Sequence, residues 1–89
     1  MVEINEVVAK VVSQKGTCAA EHKVGDEWVI TVSKTPEGIC PYAFYTLFPF
    51  AQVLMFGGSF PWEADRDVTT LACPDAENPV VFELRRLRK

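Results

Sequence analysis

The chain has 89 residues, of which 48% are hydrophobic and 24% charged, and its formal net charge at pH 7 is −3. This length supports a single domain over residues 1–89, and this hydrophobic content excludes a disordered chain. Four of the nine basic residues crowd the last five positions, as Arg85, Arg86, Arg88 and Lys89, which leaves an acidic excess everywhere else.

The charge distribution predicts no nucleic-acid partner, because affinity for a duplex comes mainly from cations that neutralise phosphates. We expect the basic end to be a solvated strand terminus. The segment MVEINEVVAK at the start contains acids, with no basic region before an apolar core, and therefore predicts a cytoplasmic protein without a secretory signal. Because the cytoplasm keeps thiols reduced, the three cysteines are expected as metal ligands or buried thiols.

Two strands are predicted before residue 34. Residues 2–12 are rich in valine, which favours a pleated, half-buried strand. The adjacent pairs Val7-Val8 and Val11-Val12 break the alternation, and this indicates either a sheet covered on both faces or a bulge that changes the register. After a long connection and a turn at Gly25-Asp26, the second strand is expected to have one mainly apolar face, formed by Trp28, Ile30 and Val32.

Residues 41–56 are strongly apolar and predict a helix. Proline suits its first turn, and Gly57-Gly58 follow where a helix would stop. Pro49 lies near the middle, so the segment is either one bent helix or two short ones. Its apolar residues surround the axis, which predicts burial on most sides. At 16 residues it is too short to span a bilayer, so we expect no membrane partner.

The last two strands are predicted at residues 68–72 and 80–84, joined by a turn rich in proline, aspartate and asparagine. Val80, Phe82 and Leu84 would share the inner face of the final strand. The element order is therefore ββαββ. This order indicates an α+β domain in which a helix covers one face of a small antiparallel sheet.

The three cysteines and the only histidine all fall in turn-like settings, and together they form the ligand set of a Cys3His metal site: Cys18, His22, Cys40 and Cys73. Zinc takes such ligands in a tetrahedron, and Cys18-x3-His22 could fix half of that geometry in one loop. Cys40 begins a helix, where free amide hydrogens favour a negative sulfur. The alternatives are an iron-sulfur cluster or haem, suggested by the Cys-Pro dipeptides, or plain burial of small thiols beside an exposed histidine.

The predicted topology bears on whether these ligands can meet. In a simple meander, Cys18 and His22 lie at one end of the second strand and Cys40 at the other, and a strand of seven residues covers about 23 Å. Convergence therefore requires a curled sheet or a long loop that folds back. The connection over residues 13–26 is long enough to do this.

The pattern C-x3-H-x2-G-D, then G-x-C-P, then C-P-D before a closing strand resembles an uncharacterised family of small proteins of about this length from anaerobic bacteria and archaea. The resemblance runs from Val7 to Leu84. The family often carries glycine immediately before the histidine, where this chain has Glu21. The resemblance implies no activity, and an anaerobic setting would suit an oxygen-sensitive cluster. It implies that the recurrent positions are Cys18, His22, Gly25, Asp26, Cys40, Pro41, Cys73, Pro74 and Asp75.

Two other hypotheses stay open. A thiol enzyme or redox protein would use Cys18 or Cys40, with His22 as the base beside Cys18 and Asp26 orienting the ring. A protein-interaction module or homodimer would use the apolar 41–62 region, because a single small sheet covers only part of it. Within that region the candidates for exposure are Phe48, Phe50, Met55, Phe56, Phe60 and Trp62.

Overall fold

The computed structural model describes residues 4–18 and 20–88, and it confirms an α+β fold of order ββαββ. The elements are β1 (Glu6–Gln14), β2 (Glu27–Ile30), α1 (Pro41–Met55), β3 (Val68–Ala72) and β4 (Val80–Leu87). The four strands form one antiparallel sheet in the order β2-β1-β4-β3. Residues 2–3 of the predicted first strand, and Lys89 of the basic end, lie outside the described residues. Of the helical structure described, no segment has the length and hydrophobicity to cross a membrane.

The inner face of the sheet follows the alternation of the two central strands. Val80, Phe82 and Leu84 of β4 are all buried, as predicted. In β1 the register against β4 shifts between Val11 and Ser13, so the extra residue Val12 is exposed. The bulge alternative is therefore confirmed, and it explains the adjacent pair Val11-Val12.

The second strand is shorter than predicted. Ile30 is buried and Trp28 packs against the core, but β2 ends at Ile30, so Val32 is exposed and the prediction of an inward Val32 is wrong. Residues 31–35 leave the sheet and lie beside Phe44 and Phe48 of the helix. The chain therefore turns back along α1 instead of continuing the strand.

The helix is continuous through Pro49, so the alternative of two short helices is wrong, whereas the bend stays a prediction. Burial on most sides is also wrong, because the sheet covers only one side of α1. Tyr45 is 83% exposed on the opposite side. One stripe of the helix is buried, at Ala43, Leu47, Ala51, Leu54 and Met55.

The helix ends where the glycine pair predicts. Gly57 has a φ of 87°, a left-handed conformation that glycine adopts without strain. Its amide donates to the carbonyl of Leu54 at 3.3 Å, and the amide of Gly58 donates to the carbonyl of Val53 at 2.8 Å. These two bonds form a Schellman motif and satisfy carbonyls that the helix leaves free.

One residue of the basic end is not solvated. The side chain of Arg86 is only 3% exposed, and its guanidinium donates to the carbonyls of Leu54, Gly58 and Arg66 and to the Asp67 carboxylate. The expectation of a solvated terminus is therefore wrong for Arg86. Its position in β4 puts it on the inner face, where only fully hydrogen-bonded charge is stable.

Asp67 is the acidic centre of this cluster. Hydrogen bonds from Arg88 and then Arg86 lower the pKa of its carboxyl from 3.8 to about 2. Arg88 approaches one carboxylate oxygen to 2.7 Å, and Arg86 approaches it to 2.8 Å. The ion pairs therefore persist well below the pH at which an ordinary aspartate gains its proton.

Candidate functional site

The topology delivers all three cysteines to one end of the sheet. Because β1 and β3 each pair antiparallel with β4, they run parallel to each other and finish at the same end of the sheet. Cys73 directly follows β3, and Cys18 lies in the connection just after β1. Cys40 is the N-cap of α1, and it lies at the same end of the sheet, where it lines a pocket with Cys18 and Cys73. Three separate segments therefore place their thiols together.

These thiols line a pocket of about 230 Å³. All three cysteines are free and partly buried. The expected separation of Cys18 from Cys40 by the second strand is wrong, because β2 has only four residues and residues 31–39 carry the chain back to the same end. The remaining lining residues are Ala20, Tyr42, Pro74, Asp75 and Asn78.

Hydrogen bonds join the segment that carries Cys18 to the loop after Cys73. The amide of Thr17 donates to Oδ1 of Asn78 at 2.9 Å, and the amide of Lys15 donates to the carbonyl of Pro79 at 3.0 Å. Gly16, with a φ of 67°, lies directly against Asn78, and a Cβ there would collide with the Asn78 carboxamide. The sequence marks Asn78 only as a turn former and does not reveal this contact.

Asp75 holds the shape of the loop after Cys73. Its Oδ1 accepts hydrogen bonds from the amides of Asn78 at 3.0 Å and Glu77 at 3.1 Å. These amides, Asn78 first, lower the pKa of the Asp75 carboxyl. The sulfur of Cys73 in turn accepts a hydrogen bond from the amide of Val80 at 3.3 Å. An amide aimed at sulfur is the kind of outer contact that supports a thiolate ligand.

His22 links the Cys18 segment to the start of the helix. Its Nε2 accepts a hydrogen bond from the amide of Cys40 at 3.0 Å. The residue is only 6% exposed, and its ring centre lies 4.6 Å from that of Trp28 and 6.4 Å from that of Phe82. The alternative of an exposed loop histidine is therefore wrong. His22 is also not among the residues that line the pocket.

The arrangement needed for a nucleophile-base pair is not assembled. Among the described residues, no hydrogen bond joins the thiol of Cys18 or Cys40 to the His22 ring. Asp26 accepts a hydrogen bond from the amide of Lys23 at 3.1 Å and so closes the turn before β2. Its carboxylate therefore serves the backbone and not the imidazole.

The cysteine thiols are donors that suit a soft ion, but they do not lie close enough together to form a coordination group. Over residues 4–18 and 20–88, no three side chains of Cys, His, Asp or Glu are grouped closely enough to hold an ion. The thiols share a pocket, and thiolates are the ligands that zinc and other soft metals prefer. An ion would therefore have to draw the three thiols closer together within the pocket.

Comparison with known proteins yields no match to a family model, to a curated protein or to a solved structure. The resemblance based on the cysteine and histidine pattern therefore stays a prediction. A function for this chain has to be inferred from the geometry of the thiol pocket.

Proposed function

We propose that this protein binds a soft metal ion, zinc in the first place, through Cys18, Cys40 and Cys73, in a structural or binding role in the cytoplasm. The observation that supports this most is that all three cysteines of the chain line one pocket, although they come from three separate segments. The proposal keeps the three sulfur ligands expected from the sequence.

The surroundings of the sulfurs support metal binding in two ways. Cys73 receives an amide hydrogen bond from Val80, and Cys40 stands at the N-terminus of α1, where the helix dipole favours negative charge. Zinc is a better candidate than an iron-sulfur cluster. Such clusters commonly take four cysteine thiolates, and this chain has three.

Cobalt titration of the reduced full-length chain, purified anaerobically without chelator, tests the proposal. We expect one Co²⁺ per chain, an intense sulfur-to-cobalt charge-transfer band, and displacement of the cobalt by Zn²⁺. Each of Cys18→Ser, Cys40→Ser and Cys73→Ser should weaken binding at least about tenfold. Glu77→Gln changes an exposed acid near the pocket and is the matched control, which should bind like the wild type.

Two results would contradict the metal site. One is the absence of a charge-transfer band at stoichiometric Co²⁺. The other is a cysteine whose replacement leaves the affinity unchanged. Rapid alkylation of Cys18 or Cys40 by iodoacetamide in a protein that takes up no metal would favour the thiol enzyme or redox protein instead. That alternative has less support, because His22 contacts a backbone amide and no thiol.

A homodimer is a second candidate, supported by apolar side chains on the outer side of α1 and the loop after it. Tyr45 is 83% exposed and Trp62 is 65% exposed. Trp62 packs on Phe60 with ring centres 5.0 Å apart, and Phe60 packs on Phe50. We define the outer strip as Tyr45, Pro49, Val53, Phe56 and Trp62. Exposed apolar surfaces of this kind usually mark a partner site, and a symmetric copy is the simplest partner.

A further inference from the structure

His22 has a role at the proposed metal site that differs from the one expected from the sequence. We infer, on the basis of that proposed site, that His22 is a positioning residue for Cys40 and not a metal ligand. The ion is then held by three thiolates and keeps one coordination position for a small external donor. The ligand class that suits this position in the pocket is a low-mass thiol.

The single lone pair of the neutral His22 ring is already in use. Nε2 accepts the hydrogen bond from the Cys40 amide. In a neutral ring that accepts at Nε2, the proton sits on Nδ1, which is then a donor. Neither nitrogen of His22 has a lone pair left for a metal.

The ring of His22 is also firmly held. It is buried against Trp28 and Phe82, whose ring centres lie 6.1 Å apart, so the three rings form one cluster. Turning Nε2 toward the pocket would break its hydrogen bond and leave the Cys40 amide, which is partly buried, without its partner. The aromatic packing therefore fixes the ring, and the ring fixes the backbone that carries the Cys40 sulfur.

The pocket has room for a further ligand. Zinc sites with three protein ligands keep a fourth position for an external ligand. The pocket of about 230 Å³ has a mainly apolar lining, in which Ala20, Tyr42 and Pro74 accompany the three thiols, with Asp75 and Asn78 as its other polar residues. A soft ion and a mainly apolar lining together suit a small thiol better than a carboxylate or a phosphate.

The test uses the full-length chain loaded with ¹¹³Cd²⁺ or Zn²⁺. Because the chain has one histidine, its imidazole signals are unambiguous. We expect no ¹¹³Cd coupling to the ring of His22 in the wild type. X-ray absorption of the zinc form should show three sulfurs at about 2.3 Å, and a fourth sulfur after addition of 2-mercaptoethanol.

Two variants separate positioning from ligation. His22→Phe keeps an aromatic ring and removes the acceptor, and it should weaken Co²⁺ binding about tenfold while leaving the cobalt ligand-field bands of the saturated protein unchanged. His22→Gln places an acceptor near the position of Nε2 and should restore most of the affinity. Circular dichroism of both apo variants checks that they fold.

Cadmium coupling to the ring, or a nitrogen shell that disappears in His22→Phe, would overturn the inference and leave the proposed metal site standing. If 2-mercaptoethanol does not change the X-ray absorption spectrum of the wild-type zinc form, the inference that an external thiol binds the ion is wrong. A wild-type protein that binds none of these metals would overturn the proposed function itself, and the inference with it.

Discussion

At the scale of single residues, Glu21 has the least favourable backbone conformation described. Its φ is 61°, in the left-handed region that costs side chains other than glycine free energy. The conformation is set by the turn in which the Glu21 amide donates to the carbonyl of Cys18 at 2.9 Å. Glycine adopts such a conformation without strain. The turn therefore favours glycine at this position.

We expect Glu21→Gly to stabilise the protein by about 1 kcal/mol, because it removes the left-handed strain and keeps the backbone hydrogen bond to Cys18. Urea denaturation of the metal-free chain measures the change. Glu37→Gly is the matched control, since Glu37 is exposed and has no positive φ, so glycine there should leave stability unchanged or lower it. A lower stability of Glu21→Gly than of the wild type would contradict this account of the turn.

The residue types indicate which donor atoms the candidate site contains but not their geometry. Cysteine and histidine are recognisable as soft donors in any sequence, and Cys40 was correctly placed at the start of a helix. Whether His22 offers a nitrogen to a metal or to an amide depends on a contact 18 residues away in the chain. No local pattern contains that information.

At the scale of elements, the alternation of buried and exposed residues in β4 continues past the predicted end of the strand. The alternation that places Val80, Phe82 and Leu84 inside also places Arg86 inside, and Arg86 is buried. The predicted strand ends at Leu84, because the charges after it favour solvent. The observed strand continues, since the Arg86 guanidinium finds carbonyl and carboxylate acceptors around it.

We expect Arg86→Met to destabilise the protein by about 3 kcal/mol, because the carbonyls of Leu54 and Gly58 would lose their charged donor. Thermal or urea unfolding measures the loss. Arg85→Met is the control, since the Arg85 side chain is 48% exposed and makes only surface ion pairs, which contribute about 0 to 1 kcal/mol. Equal effects of the two changes would contradict a specific role for Arg86.

The remaining differences between prediction and structure come from long-range packing. The pattern of residues 28–33 supports a longer strand than the four residues of β2, and it contains no sign that the chain leaves the sheet at residue 31. The return of residues 31–39 along α1 brings Cys40 to the other thiols. It depends on how the helix packs on the sheet, which periodicity does not describe.

At the scale of the whole molecule, the sheet covers one side of the helix and leaves the outer strip uncovered. If the outer strip forms a symmetric interface, sedimentation of the full-length chain at high micromolar concentration should give a dimer mass. Tyr45→Lys should shift it to the monomer, because a buried unpaired lysine is costly. Thr70→Lys is the control, since Thr70 is exposed on the sheet and should leave the mass unchanged. A monomer mass for the wild type in this experiment would contradict the proposed dimer.

The hydrogen bond between the Thr17 amide and Asn78 determines when the pocket can form during synthesis of the chain. The two residues are 61 positions apart, so the wall of the pocket that contains Asn78 is synthesised well after the segment that contains Thr17 and Cys18. A nascent chain that ends before Asn78 has no partner for the Thr17 amide, and it lacks β4, the strand that pairs with both β1 and β3. The pocket can therefore form only after β4 has been synthesised.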